Sequence, residues 1–141
     1  MENEKIEIYT DGSCIGNPGP GGWAFLILRN GKKFSFADSQ PDTTNNRMEM
    51  TAVVRGLEWI HATYDKNDRT KVDVTVYSDS RLVIQTFNQG WNRKANLDIW
   101  SEIDRLRAWL NITWQWVKAH DTNPHNNLVD ELAQKAARSI A

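Results

Sequence analysis

The stretch IEIYTDGSCIGNPGPGG, Ile6 to Gly22, decides how the rest of the chain is read. Ile6 and Ile8 alternate with Glu7, Tyr9 and Asp11, the period-two pattern of a strand. The pattern predicts that the strand stops at Asp11 and that a glycine- and proline-rich turn takes over. Gly12, Gly16, Gly19, Gly21 and Gly22 carry no Cβ, so bare backbone N–H groups could approach a ligand there. A carboxylate at a strand end beside exposed backbone is half of a metal and phosphate site. Taken alone, the stretch reads equally well as a long turn bearing a surface aspartate.

A second strand further along answers the first. Val72, Val74 and Val76 alternate with Asp73, Thr75 and Tyr77, and the run closes Tyr77-Ser78-Asp79 as the first closes Tyr9-Thr10-Asp11. Two strands of matching parity, laid parallel as neighbours, put Asp11 and Asp79 side by side. Parallel neighbours require a crossover, and the chain between them supplies a helix whose apolar stripe is Met50, Val53, Val54, Leu57 and Ile60. On a wheel of about 100° per residue Glu49 falls at the edge of that stripe. Each acid also has a plainer reading: Glu49 as part of an Asn46-x-x-Glu49 capping box, Asp79 as the cap of the next helix.

The remaining elements follow from the same signals. Trp23 to Arg29 reads as a buried strand, Asn30-Gly31 as a hairpin turn, and Lys32 to Asp38 as the returning strand. Gln40 to Asn46, broken by Pro41, reads as a loop, and His61 to Lys71 as a charged connector. A short helix from Ser80 ends near Gly90. Another, capped by Asn96, carries Ile99, Ile103, Leu106 and Leu110. Ile112 to Lys118 is the last strand and Ala119 to Asn123 a loop. Asn123-Pro124 opens a final helix with Val129, Leu132, Ala133, Ala136 and Ile140 inward, which leaves Asp130 at the flank of the stripe. His120, on the loop before it, is within reach of a site at the strand ends and could move a proton there. His61 and His125 read as surface residues. There is no internal repeat and no low-complexity tract.

The whole is 141 residues with a net charge of −1, one domain spanning 1–141 with no broad basic field. Cys14 is the only cysteine, which rules out an internal disulfide and favours a reducing compartment. No apolar run is long enough to span a bilayer, and no cleavable signal is read at the start. Most of the seven tryptophans must be core.

If Asp11, Glu49, Asp79 and Asp130 converge, they cannot stay bare anions. Unit charges about 4 Å apart repel by about 4 kcal/mol at an effective dielectric of about 20. Oxygen-only ligands suit Mg²⁺ or Mn²⁺, and four shared carboxylates suit two ions about 3.5–4 Å apart, the arrangement for in-line displacement at a phosphodiester.

Four motifs, TDGSCIGNPGPGGWA (Thr10 to Ala24), TTNNRMEM (Thr43 to Met50), YSDS (Tyr77 to Ser80) and WVKAHDTNPHNNLVDELA (Trp116 to Ala133), together resemble type 1 ribonuclease H of the bacterial kind, in the right order over essentially the whole chain. The resemblance implies an α/β, ribonuclease H-like fold: a mixed five-stranded sheet, antiparallel meander plus parallel strands, flanked by helices. It implies a metal-dependent endonuclease that hydrolyses the RNA strand of RNA/DNA hybrids and leaves 5′-phosphate and 3′-hydroxyl ends, working as a cytoplasmic monomer. Asp11, Glu49, Asp79 and Asp130 match the family's metal-binding carboxylates, and His120 its mobile-loop histidine. Gly12, Ser13 and Cys14 match backbone contacts to RNA. Asn17, Asn45 and Asn46 match minor-groove contacts, Thr44 a contact to the DNA backbone, and Trp100 a wall of the DNA-strand channel, although Trp100 reads equally well as a packed core residue.

Two departures stand out. Arg81 follows Asp79-Ser80 where many members have Gln, another minor-groove contact. Between Phe87 and Trp100 there is no room for the basic protrusion of many bacterial relatives, and only Arg93 and Lys94 remain of it. That predicts weaker hybrid binding with a gentler salt dependence, and it leaves double-stranded RNA open as a second substrate. The competing readings are a sister nuclease on the same scaffold that cuts DNA, and a hybrid-binding module with a dead site. The Asn45-Asn46 pair with the His120 loop speaks against the first, the retained acids against the second.

Overall fold

In the computed structural model, which describes residues 2–141, the first strand (β1, Glu4–Cys14) runs past Asp11 to Cys14. Gly12, Ser13 and Cys14 pair antiparallel with Trp23, Gly22 and Gly21 of β2 (Gly19–Arg29). Most of the expected glycine loop is therefore paired strand, and only residues 15–18 turn. The glycines are needed for close approach by helices. A Cβ on Gly12 would lie 2.3 Å from the backbone nitrogen of Glu49, and one on Gly22 would lie 2.2 Å from the carbonyl oxygen of Ala133. Bare backbone at these two points lets the helices bearing Glu49 and Asp130 sit directly on the strands beside Asp11.

Asn30 and Gly31 both take left-handed backbone, with φ of 51° and 74°, as a two-residue hairpin turn requires. The returning strand β3 (Lys32–Thr43) continues through Pro41 rather than ending at Asp38. Two features permit this: β3 is an edge strand, and its pairing shifts register opposite Gly19–Gly21. The helix α1 (Asn45–Thr63) is capped by Thr44, whose Oγ1 accepts from the Arg47 amide at 3.3 Å. The cap is thus Thr44 and not Asn46, and Glu49 has no part in a capping box.

A 3₁₀ turn (Arg69–Lys71) leads into β4 (Val72–Ser78), parallel to β1. The helices α2 (Arg81–Gln89) and α3 (Leu97–Arg107) follow, then β5 (Asn111–Trp116), parallel to β4, and α4 (Pro124–Arg138). The sheet order is β3-β2-β1-β4-β5. On one face Ile6, Ile8, Phe25, Ile27 and the valines of β4 bury the stripe of α1 together with Ile99, Ile103 and Leu106 of α3. On the other, Tyr9, Ala24 and Leu26 receive Val129 and Ala133 of α4. Ile140 lies beyond the end of α4 and is exposed, so it takes no part in that packing. His61 is no idle surface residue: its Nε2 lies 2.7 Å from the Leu106 carbonyl and ties α1 to the end of α3.

Candidate active site

The site is set by strand register. Tyr9 pairs with Tyr77 and Thr10 with Ser78, so the next residues, Asp11 and Asp79, leave adjacent strand ends together. The two tyrosine rings stack at 4.3 Å with their planes nearly parallel, which holds that register from the side-chain layer. Asp79 is not spent as a helix cap, because Ser80 fills that role through Oγ to the Val83 amide. Glu49 arrives from the second turn of α1, seated on Gly12.

Carboxylate oxygens of Asp11, Glu49 and Asp79 all lie within 4.8 Å of one another, close enough to share a metal ion. Asp11 is 2 % exposed and Glu49 6 %. Asp11 Oδ1 accepts from the Gly12 amide at 2.8 Å, but Asp11 Oδ2 and Glu49 Oε2 are buried with no hydrogen-bond partner. Burial first, then the charge of Asp79, raises the Asp11 pKa to about 8. Burial, followed by the charges of Asp11 and Asp79, pushes Glu49 well above the usual carboxylate range. Asp79 is also raised, by burial and then by Asp130. Orphaned anionic oxygens converging on one point are costly unless protons or cations occupy it. An all-oxygen set with buried, unpartnered lone pairs fits a hard divalent cation.

Asp130 lines the same pocket but stands outside the tight group of three. Its side chain is 24 % exposed, and its Oδ2 already accepts from Gln134 Nε2 at 3.0 Å. His120 faces it, with Nδ1 3.6 Å from that same Oδ2 and the side chain 74 % exposed. Its backbone is left-handed, with φ of 54°.

The pocket, about 460 Å³, also brings in Gly12, Ser13, Asn45, Asn46 and Arg81. Asn17 reaches its edge, where its Oδ1 accepts from the Asn45 amide at 2.8 Å. Cys14 and Thr44 are not among the lining residues. The Cys14 thiol donates to the carbonyls of Gly19 and Thr43, and Thr44 is occupied as the α1 cap. Of the two readings of Trp100, exposed channel wall or packed core, the structure has the packed core. Trp100 is 3 % exposed, edge-on to Phe87 and covered by the Arg93 guanidinium, because α3 turns it inward beside Ile99 and Ile103.

One contributor escapes the sequence reading. Trp116 shows there only as a strand residue, yet its indole Nε1–H donates to the Asp79 carbonyl at 3.1 Å. The signal available was its place at the carboxyl end of a parallel strand, where α/β sites form.

Comparison with known proteins agrees with this fold. The family model described as RNase H matches residues 3–138. A ribonuclease H from Legionella pneumophila (strain Lens) is 39 % identical over 97 % of this chain and 99 % of its own length. One from Francisella philomiragia is 40 % identical over 99 % of this chain and 95 % of its own. Among solved structures, LC11-RNase H1 in complex with an RNA/DNA hybrid superposes with a TM-score of 0.82 at 26 % identity, covering 95 % of this chain and 97 % of that one. The N-terminal RNase H domain of a Mycobacterium tuberculosis protein, at 23 % identity and a TM-score of 0.83, shares the fold over 97 % of this chain and 96 % of its own.

Proposed function

The chain belongs to the RNase H family of metal-dependent nucleases, and from that premise we propose that its acidic pocket hydrolyses the RNA strand of RNA/DNA hybrids, leaving 5′-phosphate and 3′-hydroxyl ends. The observation that carries the assignment of the pocket is the pair of unpartnered oxygens, Asp11 Oδ2 and Glu49 Oε2, buried beside Asp79. Asp11, Glu49, Asp79 and Asp130 would hold two Mg²⁺ or Mn²⁺ ions. Divalent cations bound there supply charge stabilisation at the phosphodiester and a water acidic enough to attack near neutral pH.

The chain's own residues supply position and proton traffic. The sheet end fixes Asp11 and Asp79 before substrate arrives, so no reorganisation is spent during reaction. Asn45 and Asn46, at the amino end of α1, face the pocket and offer amides to the 2′-hydroxyls that separate RNA from DNA. Gly12 and Ser13 bring backbone to the strand being cut, and Arg81 adds a cation to the lining. His120, exposed and beside Asp130, exchanges protons between the pocket and solvent. Asn17, through its bond to Asn45, is proposed to steady that minor-groove contact. Cys14 and Thr44 are proposed to touch substrate only through backbone or at the periphery. The proposal extends to a single catalytic domain acting as a cytoplasmic monomer, to which the lone cysteine is suited. Among the described residues no helix is long and apolar enough to cross a membrane.

The test is cleavage of end-labelled hybrid, double-stranded RNA and double-stranded DNA with Mg²⁺, Mn²⁺ or a chelator. The expected result is metal-dependent cutting of the hybrid RNA that disappears in Asp11→Asn. Hybrid binding without cutting by the wild type would overturn it.

A further inference from the structure

The backbone of Asp79 belongs to no regular element: β4 ends at Ser78 and α2 begins at Arg81. Its place is held from β5. The Ser78 carbonyl accepts from the Val117 amide at 3.0 Å, and the Asp79 carbonyl accepts from the indole Nε1–H of Trp116 at 3.1 Å. The face of the same ring is also used. The Arg81 guanidinium lies over Trp116, 4.7 Å from the ring centroid, while Arg81 lines the acidic pocket. Among the described residues no carboxylate pairs with Arg81, although Arg29, Arg47, Arg55, Arg93, Arg105 and Arg107 each have an acidic partner. A guanidinium stacked through its face keeps its N–H edge free, and that edge matches phosphate oxygens.

We infer that Trp116 is a positioning residue serving the site twice, its indole N–H fixing the Asp79 backbone and its ring holding Arg81 as a clamp for a phosphate of the strand being cut. The inference rests on the hybrid-hydrolase reading for the identity of that strand. Its Asp79 half concerns ion binding and stands apart from substrate. The two halves separate by substitution. Trp116→Phe keeps a ring under Arg81 but deletes the N–H; Arg81→Gln keeps the N–H to Asp79 but deletes the cation.

The experiment pairs two readouts that need no turnover: Mn²⁺ affinity by electron paramagnetic resonance, and anisotropy of labelled hybrid in chelator over a salt series. Trp116→Phe is expected to weaken Mn²⁺ binding about tenfold, as loss of an outer partner of a ligand does, with hybrid affinity within about twofold of wild type. Arg81→Gln is expected to leave Mn²⁺ affinity within about twofold. It should weaken hybrid binding about fivefold and flatten the log–log salt slope by about one. Kinetics should split in parallel, with kcat falling in the first variant and KM rising in the second. Wild-type Mn²⁺ affinity in a folded Trp116→Phe overturns the Asp79 half, and an unchanged salt slope in Arg81→Gln overturns the clamp. Should Trp116→Phe fail to fold, the wild type decides. Substoichiometric Mn²⁺ must broaden the Trp116 indole N–H resonance ahead of those of Trp91 and Trp109, and equal broadening overturns the placement. A wild type that binds Mn²⁺ in this way yet cuts no hybrid would sink the functional reading and leave the Asp79 half standing.

Discussion

The floor and the rim of the pocket carry the same functional group in opposite circumstances. On the floor, Asp11 and Glu49 are almost wholly buried, rest on strand and helix backbone brought close by Gly12, and each keeps an oxygen with no partner. At the rim, Asp130 has solvent, Gln134 and His120 around it. A floor carboxylate cannot adjust to a neighbour's charge by turning toward water, so its charge must be balanced by something bound. A rim carboxylate can be screened and re-paired. On the proposed function, the floor would set whether the site works and the rim how fast.

The sharpest way to break that distinction is Asp11→Asn. Losing a floor ligand should remove about 4 kcal/mol of transition-state stabilisation, so hybrid cleavage should fall by about a thousandfold or more. The same change should raise the metal-free melting temperature at alkaline pH, because it removes one of the crowded anions. Asp130→Asn should cost much less in rate and little in stability. Initial rates and thermal melts on both variants check this, and equal losses in the two would erase the difference between floor and rim.

The second effect is on stability against pH. Asp11, raised to about 8 by burial and by Asp79, and Glu49, pushed well above the usual carboxylate range by burial and by its two acidic neighbours, both bind protons more tightly folded than unfolded. Over that window the native state holds more protons than the unfolded chain, so stability falls as pH rises. The contribution is fully present below the unfolded carboxylate range near about 4 and is lost as pH climbs through about 8. Metal-free protein should melt lower at about pH 9 than at about pH 6, and Mg²⁺ should raise the melting temperature more at the higher pH. A Mg²⁺ shift of equal size at both values would mean the floor acids are not the ion's ligands.

How far the sequence announces this site depends on where the information sits. The shared Tyr-x-Asp endings of two strands, and an apolar stripe with Glu49 at its edge, are local patterns, and the structure places Asp11, Glu49 and Asp79 together as those patterns require. What local pattern misses is decided by partners distant in the chain. Gly12 and Gly22 read as turn residues, because nothing nearby in sequence says that α1 and α4 will press on them. Pro41 reads as a break, because edge position is a property of the finished sheet. Trp100, which the resemblance sets at a channel wall, enters the core, and Trp116, which alternation marks only as a strand residue, grips the site.

Among rim changes, His120→Ala should lower kcat by about a hundredfold, the low end for a lost proton-transfer group, and leave the melting temperature unmoved. Added imidazole in the assay should restore part of the rate, since the side chain is open to solvent. A loss matched by a fall in melting temperature would assign His120 to structure instead.

The smallest effect expected concerns the connector between α2 and α3, where two adjacent cations repeat the contrast of held and free. Arg93 pairs with Asp104 and lies over the rings of Phe87 and Trp100, so its charge is already spent on the fold. Lys94 is exposed beside Trp91 at the mouth of an open pocket. With one of the two withdrawn, this region offers even less to a polyanion than its composition suggests. Arg93→Ala should lower the melting temperature by a few degrees, the worth of about 1 kcal/mol of stacking and pairing, and leave the salt slope of hybrid binding unchanged. Lys94→Ala should do the reverse, leaving stability alone and flattening the slope by at most about one phosphate contact. A slope that drops in Arg93→Ala would mean its pairing to Asp104 opens when substrate binds, and the connector would then count as part of the nucleic-acid surface.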